Sequence, residues 1–258
     1  MKRRLLVIGS VLIFGCKPEL KKDIFVTDNT GVHLNHKPLE YSLDSSKLGI
    51  SFIPKGNYIS VLDKIKNHRS FFLNLYNSNS AKASDSVSKY LYSKLLNDIV
   101  PHWYGTAWDF NGHTNIPNNG EIACGYFVST TLKHLGFNLN RYKMAQAAGL
   151  DEARLLQSRA NLKIYSNLSF KQLKDKVVNI YSDGIYFVGL DNHVGYLILK
   201  DKELYFLHSS YCDDRVVIEL AKTSPCFQSN IYVFAEITTN KDLIKKWIHN
   251  EELKLSGN

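Results

Sequence analysis

The chain has 258 residues, 44% of them hydrophobic, and a formal charge of +8, which falls to +5 once Lys2, Arg3 and Arg4 are set aside. These proportions exclude a disordered chain and allow one substantial core with a small appendage. The mild basicity comes without a run of Lys and Arg interleaved with aromatics, so no nucleic-acid partner is expected, whereas an anionic polymer such as cell wall is compatible with it.

The opening MKRRLLVIGSVLIFGC has a basic start, an apolar run from Leu5 to Phe14, and Gly15-Cys16. Residues 1–15 read as a secretory signal, too short for a membrane span. Gly directly before Cys, preceded by Leu12 and Ile13, resembles a bacterial lipobox, although Phe14 is bulkier than that motif usually has. The resemblance implies lipidation of Cys16 and an exported, membrane-anchored lipoprotein facing the periplasm or cell exterior. Ordinary signal cleavage nearby implies the same compartment. Cys212 and Cys226 are close enough to close a short loop in an oxidising compartment, although spacing alone does not establish a disulfide. Cys124 is left over and calls for an explanation.

Residues 16–84 read as a tether and an accessory region. A β-like piece, Leu48 to Ile53, is followed by the turn Pro54-Lys-Gly-Asn57 and a polar segment over 77–84. His33 and His36 lack companions at metal-ligand spacing and are better read as surface or packing residues. From residue 85 to about 240 the pattern changes to that of the main domain. Val87, Tyr90, Leu91, Leu95 and Ile99 form a helical stripe that Pro101 is expected to end. A long loop dense in aromatics follows, then a helix after Cys124 closed by Gly136, a helix over 143–159, and a capping box at Ser169 and Gln172 opening a helix to about Ile180. Strands are predicted over 185–190, 193–199, 203–208, 216–220 and 231–237, with 200–202 turning a hairpin. A C-terminal helix and tail occupy 241–258. Helices first and strands after predict an α+β fold with helices packed on a mostly antiparallel sheet.

A cysteine at a helix N-terminus sits where unpaired N–H groups and the helix dipole favour the thiolate. It still needs a proton acceptor, normally a histidine. His193 begins one strand of the hairpin and His208 ends the other, in a register that pairs residue 193 approximately with 208 or 209. One imidazole can then serve Cys124 as base while the other fixes its tautomer. Trp108 and Asp109 on the aromatic loop are candidates to wall the cleft, although large aromatics more often pack. Asp191 reads as a turn residue, and Tyr211 and Arg215 are undecided.

Residues 86–237, with a helix, a Pro-aromatic-Gly loop, a cysteine-initiated helix, the strand Asn192-His-Val-Gly-Tyr-Leu-Ile-Leu199 and then Tyr205-Phe-Leu-His-Ser209, resemble the NlpC-type, papain-like cysteine peptidases. The resemblance implies a papain-like fold with Cys124 as nucleophile, His193 as base and His208 as third member. It further implies hydrolysis of an amide in peptidoglycan peptide through a thioester, with no metal or organic cofactor. The family commonly has Asp-Cys-Ser-Gly at the nucleophile, where this chain has Ala123-Cys124-Gly125-Tyr126. Its active-site tyrosine aligns with His102, and the resemblance then implies Tyr104, at the following aromatic, as the active-site hydroxyl. Two alternatives keep the same fold: a cysteine amidase or peptidase acting on another substrate, and a catalytically silent binding lipoprotein.

Overall fold

The structure, a computed structural model, describes residues 45–255; the predicted signal, Cys16 and the His33/His36 pair lie outside them. The chain is helical ahead of the sheet. After the single turn α1 (Ser45–Leu48), the apolar residues to Ile53 form no strand, contrary to their pattern. Gly49 in the left-handed region and Pro54 confine the stretch, and Phe52 packs its ring on Tyr104. Asn57 caps α2 (Tyr58–Ser78) and Asn79 caps α3 (Ser80–Ser93), so the polar segment over 77–84 is a helix junction. Helix α3 continues through a wide π turn, Lys94–Ile99, into α4 (Val100–Trp103). Pro101 therefore does not end the helix. It enters just after the wide turn, at the start of α4, where its missing N–H is tolerated.

Helix α5 (Cys124–His134) ends at Leu135, with Gly136 at φ 97°. The short β1 (Asn138–Leu139) precedes α6 (Arg141–Ala145) and α7 (Gly149–Leu156), which replace the single helix expected over 143–159. The break at Ala148 lets the chain bend around the start of α5. A Cβ on Gly125 would lie 2.8 Å from the Ala145 carbonyl oxygen, and one on Gly189 3.4 Å from Gly149. Strand β2 (Lys163–Ser166) leads to α8 (Phe170–Ile180), opened by the Ser169/Gln172 capping box.

Strands β3 (Gly184–Gly189), β4 (Val194–Lys200), β5 (Glu203–Ser210), β6 (Arg215–Leu220) and β7 (Ile231–Glu236) complete a six-stranded sheet of order β2-β7-β3-β4-β5-β6, with every pairing antiparallel. Helix α9 (Lys241–His249) and β8 (Glu252–Leu253) close the chain, β8 pairing in parallel with β1. The architecture is α+β, with helices packed on an antiparallel sheet. One face of the sheet buries Phe127, Tyr196 and Trp103 with Val61, Ile65, Phe72 and Trp247 of the helical layer. The other buries Leu173 and Val177 of α8 against Leu197, Phe206, Phe227 and Phe234. Among the described residues no helix is long and apolar enough to cross a membrane.

The β4–β5 hairpin turns on two residues, Asp201 and Lys202, both at positive φ, between Lys200 and its partner Glu203. That register, with Tyr196 opposite Leu207, carries Gly195 opposite His208 and His193 beyond it opposite Ser210. The two histidines are thus diagonal neighbours on one face, not direct cross-strand partners as expected. Gly195 makes the diagonal possible: a Cβ there would lie 2.6 Å from the Phe206 ring and 2.9 Å from the His208 Cβ.

Candidate active site

His193 and His208 are both buried, and His193 Nε2 lies 2.7 Å from His208 Nδ1. On its far side His208 Nε2 lies 3.0 Å from Glu219 Oε1, which β6 supplies from the same sheet face. These contacts assign the protons. A carboxylate accepts, so His208 Nε2–H donates to Glu219; His208 Nδ1 then accepts from His193 Nε2–H. That tautomer leaves a lone pair on His193 Nδ1, which is buried and has no hydrogen-bond partner among the described residues. Such an atom costs about 1–3 kcal/mol of desolvation and calls for an explanation. Burial pushes the His193 pKa well below the ordinary histidine value, with His208 adding to the shift, and burial pushes His208 down to about 3. Both imidazoles therefore rest neutral, as the proton assignment requires. Burial also raises the Glu219 carboxyl. Phe206 stacks on His208 at 4.0 Å between ring centroids and fixes its plane.

The segment bearing Cys124 reaches this end of the sheet from the opposite face: α5 packs with Phe127 and Tyr196, whereas His193 and His208 share the face of Phe206. Ser209 Oγ, next to His208 on β5, donates to the Ile122 carbonyl at 2.6 Å. Ile122 N–H donates to Ala107 O and Ala123 N–H to Gly112 O. Cys124 is half-buried, lies outside the disulfide and begins α5, whose N-cap Ala123 offers no side-chain acceptor. An uncapped helix start presents N–H groups and the positive end of the helix dipole, as an oxyanion requires. Deeper in, Tyr196 of β4 holds the same helix: its hydroxyl lies 2.7 Å from Thr131 Oγ1 and 3.0 Å from Val128 O.

The long loop ahead of Cys124 is ordered. Gly105 and Trp108 donate backbone N–H groups to Val216 and Asp214 at the start of β6. The buried Arg141 guanidinium joins Thr130 of α5 to the His113 and Thr114 carbonyls. Trp108 packs, its ring tilted, at 6.1 Å from Tyr211, whose ring stands at 5.1 Å, edge to face, from His193. Trp108 thus reaches the histidine pair through Tyr211. Asp109 has a local structural role, its carboxylate accepting from Asn111 N–H and its carbonyl from Gly112 N–H. Tyr104 forms the C-cap of α4 with its ring against Phe52. Asp191 clasps the backbone N–H groups of Asn230 and Ile231, a loop role as expected.

The disulfide joins Cys212 to Cys226. Sequence reasoning missed Glu219 and Glu152. Glu152 on α7 is buried, its Oε2 has no partner among the described residues, and its Oε1 lies 3.4 Å from where Gly125 would carry a Cβ. Burial raises its pKa well above the ordinary carboxylate value, so it rests protonated beneath the first turn of α5. Comparison with family models, with curated proteins and with solved structures gave no match, so the geometry and the sequence motifs carry the functional reading.

Proposed function

We propose that the chain is an exported, papain-like cysteine hydrolase of the NlpC type that cleaves an amide in cell-wall peptide. The observation that supports this most is the relay Glu219, His208, His193, which leaves one buried imidazole nitrogen unpartnered at the sheet end to which Ser209 ties the cysteine helix. In this reading His193 Nδ1 takes the Cys124 thiol proton, and the thiolate attacks the amide carbonyl. The N–H groups at the start of α5 hold the oxyanion. The protonated His193, its charge spread through His208 toward Glu219, then gives its proton to the departing amine. Water deprotonated by the same nitrogen releases the acyl group from sulfur as a carboxylate. Cys124, His193 and His208 are the reacting and relaying groups, with Tyr211 and Trp108 walling the cleft, and no metal or organic cofactor takes part. Cys16 anchors the protein to the membrane through lipid.

Digestion of peptidoglycan fragments, followed by mass spectrometry, tests this. The wild type should release fragments cut at an amide, and Cys124→Ala or His193→Ala should lower the rate by at least about 10⁴-fold while remaining folded. Wild-type protein that leaves every wall amide intact, but acylates Cys124 with simple amide or ester probes, would move the substrate away from the wall. Failure of both would favour the silent binding protein.

A further inference from the structure

The face of the sheet that carries the two histidines also holds the disulfide. One nitrogen each of His193 and His208 and the sulfur of Cys226 lie within 4.8 Å of one another, and all three residues are buried. We propose that the Cys212–Cys226 disulfide masks a site for a soft divalent cation of the zinc class, which His193, His208 and Cys226 bind once the disulfide is reduced.

Zinc takes imidazole nitrogen at about 2.0 Å and thiolate sulfur at about 2.3 Å, so tetrahedral ligand atoms sit roughly 3.5 Å apart. The present cluster needs adjustments on the order of 1 Å to reach that spacing. Glu219 already occupies His208 Nε2, leaving Nδ1 as the ligand nitrogen and supplying the carboxylate that orients a metal-bound imidazole. The charges match as well, because one thiolate and the Glu219 carboxylate offset a divalent ion in a shell of Phe206 and Phe227. A metal of this class takes the place of the proton between the two histidines, which moves to His193 Nδ1.

The chain also sets the direction of unmasking. Cys212 is exposed and Cys226 is buried. A dithiol reductant therefore attacks the Cys212 sulfur and expels Cys226 as the leaving thiolate beside the histidines. The protein's S–S bond breaks and two thiols form, while the reductant's two thiols become its disulfide. On binding the ion, Cys226 gives its proton to solvent. The freed Cys212 thiol is a fourth donor at hand. Occupancy would leave His193 Nδ1 protonated and unable to serve Cys124 as base, silencing the hydrolase, a consequence that rests on the proposed activity; the binding itself does not.

The test uses full-length Cys124→Ala protein, so that the candidate nucleophile cannot ligate. Zn²⁺ binding is measured by equilibrium dialysis before and after treatment with dithiothreitol and its anaerobic removal. The reduced protein should bind one ion per chain and the oxidised protein none. Adding Cys212→Ser, which leaves Cys226 as a thiol without a reductant, should open the site, and Co²⁺ should then show thiolate charge-transfer absorption. Adding Cys226→Ser instead should weaken binding by about 100-fold or more. Near-ultraviolet circular dichroism reports whether each variant is folded. Equal binding by oxidised and reduced protein, binding unaffected by Cys226→Ser, or folded Cys212→Ser protein that gives no cobalt–thiolate band would overturn the proposal.

Discussion

The two faces of the sheet treat buried polar groups in opposite ways. On the face under α5, the Tyr196 hydroxyl contacts both Thr131 and Val128, and the hydrogen bonds end there. On the other face, Glu219, His208 and His193 form a line that ends in an unpartnered nitrogen. Both groups are buried among aromatics, so burial does not separate them. A polar group that only fixes structure is satisfied inside the fold, whereas one placed for chemistry keeps a bond open for a reactant.

Acid unfolding should show the largest effect, with buried histidines on both faces contributing. Burial lowers His193, His208 and, beside Tyr58, His134, which is pushed down to about 4. Each of these groups takes up protons more readily when unfolded, from about pH 6.5 downward. Their contribution to stability is therefore present above that pH and is lost as pH falls toward the folded values, by up to about 1.4 kcal/mol per pH unit for each group. Chemical denaturation from pH 7 to 4 should show a steep loss that His208→Gln reduces. An unchanged slope would mean that the pair is not buried neutral.

Glu219→Gln comes next. It should lower the proposed hydrolysis by about tenfold to a hundredfold and move the acid limb of the pH–rate profile, because an amide can donate as well as accept and carries no charge, so His208 loses the group that orders the tautomers. Tyr196→Phe should instead cost about 1–2 kcal/mol of stability and leave the shape of that profile unchanged. If both variants changed only stability, the two faces would be equivalent and the relay would be structural.

Glu152→Gln should have the smallest effect. The raised pKa of Glu152 means that its neutral form is folded, so its contribution is fully present below about pH 4.5 and is lost as pH rises toward the folded value. The amide removes that loss and should stabilise the protein by about 1 kcal/mol at neutral pH, with no gain at pH 4. Denaturant titrations at the two pH values check the sign.

Legibility in the sequence followed the range of the interactions. The strands from Gly184 to Leu220, the hairpin turn and the Ser169 capping box are set by nearby residues, and the sequence pattern locates them to within a residue or two. Cys124 at a helix start was equally local. Helix α2 went unread because it buries little beyond Val61, Ile65 and Phe72, and edge strand β2 because its four residues alternate weakly. The split of α6 from α7 depends on the close approach of Ala145 to Gly125, which no local pattern encodes. Glu219 looked like an ordinary strand carboxylate; only the pairing of β6 with β5 brings it to His208. A cue was available, since Glu219 faces the same side of β6 as Val217, the partner of His208.

The central claim is that His193 activates Cys124, and the rate at which Cys124 is alkylated as a function of pH tests it most directly. Mass spectrometry of the Cys124 peptide from full-length protein isolates that thiol from Cys16. The wild type should alkylate faster than a free cysteine at pH 6–7, and His193→Ala should return the profile to that of an ordinary thiol, half-ionised at about pH 8.5. A wild-type profile no faster than free cysteine, or one that His193→Ala leaves unchanged, would contradict the account.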